Sequence, residues 1–136
     1  MRLGREGNRM KIIVCGGRDF DDHVFVNEKL DIFHSKTPIT CLIHRDAHGA
    51  DRMAGHWAQH NRVYCVPYPA DWNKYGNAAG PIRNGLMLAQ ETPDCVIAFP
   101  GGYGTDHMVK ITRTAGIRVI EYNPWGNGGR SLFDDD

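Results

Sequence analysis

The segment Phe99-Pro100-Gly101-Gly102-Tyr103-Gly104-Thr105 has the residue types of an anion-binding turn. It follows the apolar run Cys95-Val96-Ile97-Ala98-Phe99 and opens an amphipathic stretch at about Thr105. Three glycines permit positive φ and close approach of the backbone to a ligand. Unpaired amides at a helix start, with the helix dipole behind them, attract negative charge. Thr105 either caps that helix or bonds a phosphate oxygen. A ligand-free tight turn is the plainer reading, but such a turn rarely needs three glycines.

Three further clusters carry chemistry. Gly16-Gly17-Arg18-Asp19-Phe20 follows the first apolar run. Its glycines let the chain pass close to a ligand, Arg18 offers a forked donor to phosphate, and Asp19 suits a sugar hydroxyl; alternatively Arg18 pairs with Asp19 or Asp22 at the surface. In His44-Arg45-Asp46-Ala47-His48-Gly49-Ala50-Asp51-Arg52, Gly49 and Ala50 suit a loop entering a helix. Asp51 is either a cap or a group that positions the ligand-binding loops. His44 and His48 lack a third ligand at a fitting spacing, so no metal is expected. In the third cluster, Trp72 or Tyr75 can stack on a base while Arg83 and Asn84 reach a phosphate or ribose; otherwise the aromatics pin a loop and Arg83 sits on a solvated helix face.

These clusters need a frame. Short runs rich in β-branched residues begin at Ile12, Ile39, Val63, Cys95 and Ile117, and several are continuous rather than alternating. That is the pattern of strands covered on both faces, as in a parallel sheet. Amphipathic stretches over 22–35, 50–60, 79–90 and 105–115 read as helices. The alternation predicts an α/β, Rossmann-like three-layer sandwich with a parallel sheet of about five strands in the order 3-2-1-4-5. The topological switch then falls between strands one and four, where ligands bind outside the strand carboxyl ends. Both glycine-rich segments would meet there. Residues 67–78, with Pro67, Pro69, Trp72, Tyr75 and Gly76, read as a long functional loop.

At 136 residues the chain is one domain's worth. The expected organisation is a disordered extension over 1–9, a nucleotide-binding domain over 10–122, and a loose acidic tail over 123–136. Formal net charge is +0, which argues against a broad basic nucleic-acid footprint and permits homo-oligomers. No apolar run approaches the ~20 residues of a membrane span, and the polar start lacks the apolar core of a secretory signal. Cys15, Cys41, Cys65 and Cys95 form no CxxC and read as reduced thiols in strands; a cytoplasmic location follows by default.

Gly16-Gly17-Arg18-Asp19-Phe20, Gly49-Ala50-Asp51-Arg52, Asp71-Trp72, Ala79-Gly80-Pro81-Ile82-Arg83-Asn84 and Phe99-Pro100-Gly101-Gly102-x-Gly104-Thr105 together resemble the YspA-like branch of the SLOG superfamily, from about Met10 to Tyr122. That superfamily includes the LONELY GUY phosphoribohydrolases, the DNA-processing protein A fold and nucleotide-signal sensors. The resemblance implies a Rossmann-like fold and a nucleotide or ADP-ribose-like ligand, and no particular reaction. In the phosphoribohydrolases the loop continues to a Glu that acts with an upstream Arg. Here Met108 stands at the Glu position and Arg83 at the Arg position, so Arg83 reads as a phosphate holder. Arg45-Asp46 stands where relatives usually have glycines, so either that loop approaches the ligand differently or Arg45 adds a contact.

The expected ligand is AMP-, NAD- or ADP-ribose-like and is held by Gly16, Gly17, Arg18, Asp19, Gly49, Asp51, Trp72, Arg83, Asn84, Pro100, Gly101, Gly102, Gly104 and Thr105, with no separate cofactor. The chain would act as a sensor or sequestering domain. One alternative is a nucleotide N-glycosidic hydrolase, in which Asp19, Asp51 or Asp106 works with Arg83. A second is a nucleic-acid-associated protein of DNA-processing type, disfavoured by the neutral charge.

Overall fold

The computed structural model of the chain describes residues 9–125. Apart from Arg9 and residues 123–125, the expected N-terminal extension and acidic tail lie outside the described residues. The elements alternate as the sequence pattern predicts: β1 (Lys11–Cys15), α1 (His23–Lys36), β2 (Cys41–His44), α2 (Ala50–His60), β3 (Tyr64–Pro67), α3 (Trp72–Tyr75), α4 (Ala79–Glu91), β4 (Cys95–Ala98), α5 (Tyr103–Thr114) and β5 (Arg118–Glu121). All strand pairs are parallel and the sheet order is β3-β2-β1-β4-β5.

Successive strand residues face opposite ways, and the two cores separate cleanly on that basis. Ile12, Val14, Leu42, Cys95 and Ile97 pack against Val26 and Leu30 of α1 and Ala54, Trp57 and Ala58 of α2. Ile13, Cys15, Ile43, Val96 and Ala98 pack against Met87 of α4 and Met108 and Val109 of α5. Helices therefore cover both faces, which gives the three-layer α/β fold. The central strands β1, β2 and β4 are almost wholly buried, whereas the edge strands β3 and β5 are half-exposed, with Tyr64 at 71%. The four cysteines lie in β1 to β4 and are unpaired. Among the described residues no helix is long and apolar enough to cross a membrane.

Two boundaries differ in ways that matter for the site. Residues 67–78 are not an irregular loop: Asp71 caps the short helix α3 by accepting from the Lys74 amide, and residues 76–78 form a 3-10 turn leading into α4. Helix α5 begins at Tyr103, with Gly102 at the N-cap position. Thr105 is therefore not a cap; it lies inside the first turn, 5% exposed.

The register places Cys15 opposite Ala98, so the chain leaves β1 and β4 side by side at their carboxyl ends. Phe99 fixes that exit. Its ring stacks on Phe20 at 6.1 Å, meets Phe25 edge-on at 6.0 Å and lies 5.8 Å from Tyr122, tying the 16–20 loop, α1 and the β5 exit to one anchor.

Candidate ligand-binding site

An open cleft of about 1370 Å³ lies over the carboxyl ends of β1, β2 and β4. That is above the ~300–1,000 Å³ range of small-molecule pockets, as suits an open groove. Its floor is three glycine turns locked together. The Gly17 amide donates to the Pro100 carbonyl at 2.7 Å and the Ala50 amide to the Gly17 carbonyl at 3.3 Å. A Cβ on Gly17 would lie 2.9 Å from the Pro100 oxygen, and one on Gly101 would lie 2.6 Å from the Gly17 nitrogen and collide with Thr105 Oγ1. Gly49, at φ +81°, could carry no Cβ without striking the Gly17 carbonyl. Gly102 differs: its Cβ position meets nothing within 4 Å. Gly17, Gly49 and Gly101 therefore serve loop packing, and the Gly17 amide is already occupied. Gly102 borders open space, and the amides of Gly102, Tyr103, Gly104 and Thr105 donate to no acceptor among the described residues.

Beneath these amides lies a buried charge cluster. Asp51, fully buried, accepts from the Arg45 backbone amide at 2.6 Å, from Arg45 Nε at 3.0 Å and from Nη2 at 2.9 Å. Arg45 Nη2 also donates to the Gly16 carbonyl at 2.6 Å. This bidentate fork is the strong form of a charged pair. Burial pulls the Arg45 guanidinium pKa down, but the bonds and charge of Asp51 more than reverse it. Arg83, 9% exposed, donates through Nη1 to the carbonyls of Arg45 at 2.9 Å and Tyr68 at 3.3 Å, and through Nε to Asn84 Oδ1 at 3.0 Å. No carboxylate pairs with it among the described residues. Burial, reinforced by Arg45, pushes its pKa down to about 10. It stays cationic at neutral pH, so two guanidiniums share one carboxylate and the floor holds an uncompensated positive charge. Asn84 completes the frame: its Nδ2 donates to the Gly104 carbonyl at 3.1 Å and lies 3.1 Å from His107 Nδ1.

His44 controls the backbone that carries Arg45. Its buried Nδ1 accepts from the Asp46 amide at 2.9 Å, holding Asp46 at φ 60°. Burial lowers the His44 pKa below its ordinary 6.5, against the opposing pull of Asp51 and Asp46. The unfolded chain therefore takes up this proton first as pH falls, and stability contributed by neutral His44 is lost from about pH 6.5 downward through the folded-state value. Thermal melts between pH 7.5 and 5 should show a steeper loss for the native chain than for His44→Asn, which keeps an acceptor but does not titrate. Parallel curves would refute this role.

The comparisons with known proteins meet this geometry. The YspA, cpYpsA-related SLOG family matches residues 10–75. The Gene 61 protein of Mycobacterium phage D29 is 32% identical over 120 residues, covering 82% of this chain and 95% of that protein. The chain belongs to the YspA-related SLOG family. The family match runs from β1 through α3, so Arg83 and the Pro100–Thr105 turn of this SLOG chain stand on their own geometry.

Twelve of the fourteen expected ligand residues line the cleft of the SLOG domain: Gly16, Gly17, Arg18, Asp19, Trp72, Arg83, Asn84, Pro100, Gly101, Gly102, Gly104 and Thr105. Gly49 and Asp51 do not, because Gly49 packs under the Gly17 turn and Asp51 is enclosed by Arg45. Asp51 is not the cap of α2 either; Gly49 holds that position. Arg18 and Asp19 sit exposed on the rim without an ion pair among the described residues, and Asp22 caps α1 through the Phe25 amide. Met108 is fully buried in the α4–α5 core, and Asp106 does not line the cleft. The ion-pairing role of Arg45 was not foreseen. Its signal was an Arg six residues before an Asp, across a Gly-Ala helix entry.

Proposed function

We propose that this SLOG domain binds a nucleotide or nucleotide-derived phosphorylated ligand, of the AMP, NAD or ADP-ribose kind, and acts as a sensor or sequestering domain. The carrying observation is the uncompensated buried cation of the Arg45–Asp51–Arg83 cluster, set beneath the free amides of α5. A buried charge without a partner costs several kcal/mol, and a phosphate in the cleft would offset that cost. Trp72, 52% exposed, also lines the cleft and suits base stacking.

Binding is favoured over N-glycosidic hydrolysis by the state of the acids. Asp51 is neutralised by Arg45, Asp106 lies outside the cleft, and Met108 occupies a core position. Only Asp19 of the candidate acids lines the cleft, exposed on its rim. A nucleic-acid role is disfavoured because the positive charge is recessed rather than spread along the surface.

The test incubates the full chain with AMP, NAD and ADP-ribose, reading thermal stability and then the recovered ligand by chromatography. At least one ligand should raise the melting temperature and be recovered intact. Gly102→Val should fold normally, since its Cβ faces open space, and should abolish the shift. Release of free base would establish the hydrolase instead, and absence of any shift would overturn the binding reading.

A further inference from the structure

We infer that Arg45 is itself a ligand contact, and that with Arg83 it clamps one doubly charged phosphoryl group, so that the seated end of the ligand is a phosphomonoester. This rests on the nucleotide-binding reading and narrows it. Among the described residues each guanidinium has one terminal nitrogen left over. In Arg45, Nε and Nη2 serve Asp51, Gly16 and Thr105, while Nη1 has no acceptor among the described residues. In Arg83, Nε serves Asn84 and Nη1 serves the carbonyls of Arg45 and Tyr68, while Nη2 has no acceptor among the described residues.

Both nitrogens lie beside glycines of the cleft wall. Arg45 Nη1 is 3.2 Å from the Cβ position of Gly104, and Arg83 Nη2 is 3.9 Å from that of Gly80. The shared Arg83 Nη1–Arg45 carbonyl bond and the Asn84–Gly104 bond hold the two side chains in one fixed arrangement. Buried charged donors without acceptors are costly, and two of them on one cleft call for oxygens of a single anion. The α5 dipole adds roughly half a positive charge at its N-terminus. A phosphomonoester carries about −1.5 to −2 at pH 7 and offers three terminal oxygens. A bridging phosphodiester offers one charge and two terminal oxygens, and so leaves the α5 amides without an oxygen and their half-charge unmet. The acids of the cleft, Asp19, Asp21, Asp22 and Asp46, are not bonded to either guanidinium.

The test is calorimetric titration of the full chain with AMP, the 5′-methyl phosphodiester of AMP, ADP-ribose and inorganic phosphate. AMP should bind about tenfold or more tighter than its methyl diester, the effect of one further charge-assisted hydrogen bond. The pair-removing variant Arg45→Met/Asp51→Leu should lose that discrimination while still binding the diester. Arg45→Lys, which keeps the charge beside Asp51 but not the second terminal nitrogen, should lose it too and guards against misfolding of the double variant. Equal affinity for AMP and its diester, or discrimination surviving in both variants, would overturn the clamp while leaving the broader reading intact. Phosphate binding as tightly as AMP would keep the clamp but assign it to the free anion. No binding by any of the four would defeat both.

Discussion

Replacing Arg83 with Met should weaken nucleotide binding about 30-fold or more without lowering the melting temperature of the ligand-free protein. The two effects have the same origin. Arg83 is buried with no carboxylate of its own, beside a second guanidinium already paired to Asp51. In the absence of ligand its charge is a liability, and burial together with Arg45 already pushes its pKa down to about 10. Met removes that charge while keeping most of the side-chain volume. The carbonyls of Arg45 and Tyr68 lose a donor, which costs about 1–3 kcal/mol for a buried group, and relief of the unpaired cation offsets this. Loss of one partner of a desolvated charge contact costs about 2–5 kcal/mol in binding, hence the size of the affinity change. A variant that binds normally would refute the role. A variant that melts markedly lower would show that the Arg83 bonds to the Arg45 and Tyr68 carbonyls outweigh its uncompensated charge.

Asp51→Asn should be the most damaging single change in the cluster for stability. It leaves two buried guanidiniums with no counter-charge, and breaking a buried pair from one side costs about 3–5 kcal/mol. Domains of this kind have only ~5–15 kcal/mol in total, so chemical denaturation should show a large drop in the unfolding midpoint. Arg45→Met/Asp51→Leu should recover most of the loss, because it removes both members of the pair and its desolvation cost together. A double variant whose loss equals the sum of the losses for Arg45→Met and Asp51→Leu made singly would contradict the pairing, since groups in direct contact couple.

The frame of the site was legible in the sequence because it depends on short-range patterns. Continuous runs such as Ile12-Ile13-Val14-Cys15 are what strands with two covered faces require, and the glycine turns follow β1 and β4 directly. The strand order then brings those turns together without further information. Local chemistry that competes with a visible signal was harder to read. The prolines around residues 67–78 suggest a loop, yet Asp71 is a side-chain cap and a turn of helix follows it. Tyr103 and Gly104 are weak helix formers, but the Gly102 carbonyl accepts the first helical bond from the Asp106 amide, so α5 starts at Tyr103, ahead of Thr105. The least legible feature was the charge cluster. Arg45 reads as a loop cation and Asp51 as an ordinary first-turn acid. Their burial depends on the α2 entry folding under the Gly16-Gly17 turn, a contact made between distant parts of the chain.

The most direct measurement is an amide and guanidinium nitrogen NMR titration of the isotopically labelled chain with AMP and with ADP-ribose. The amides of Gly102, Tyr103, Gly104 and Thr105 and the Arg83 side chain should shift together and saturate at one binding constant, while His56 and Asn61, at the far face of α2, stay unmoved. Saturable binding with those amides and Arg83 unchanged, or with shifts centred elsewhere, would contradict capture of the anion by the α5 turn over its cationic floor.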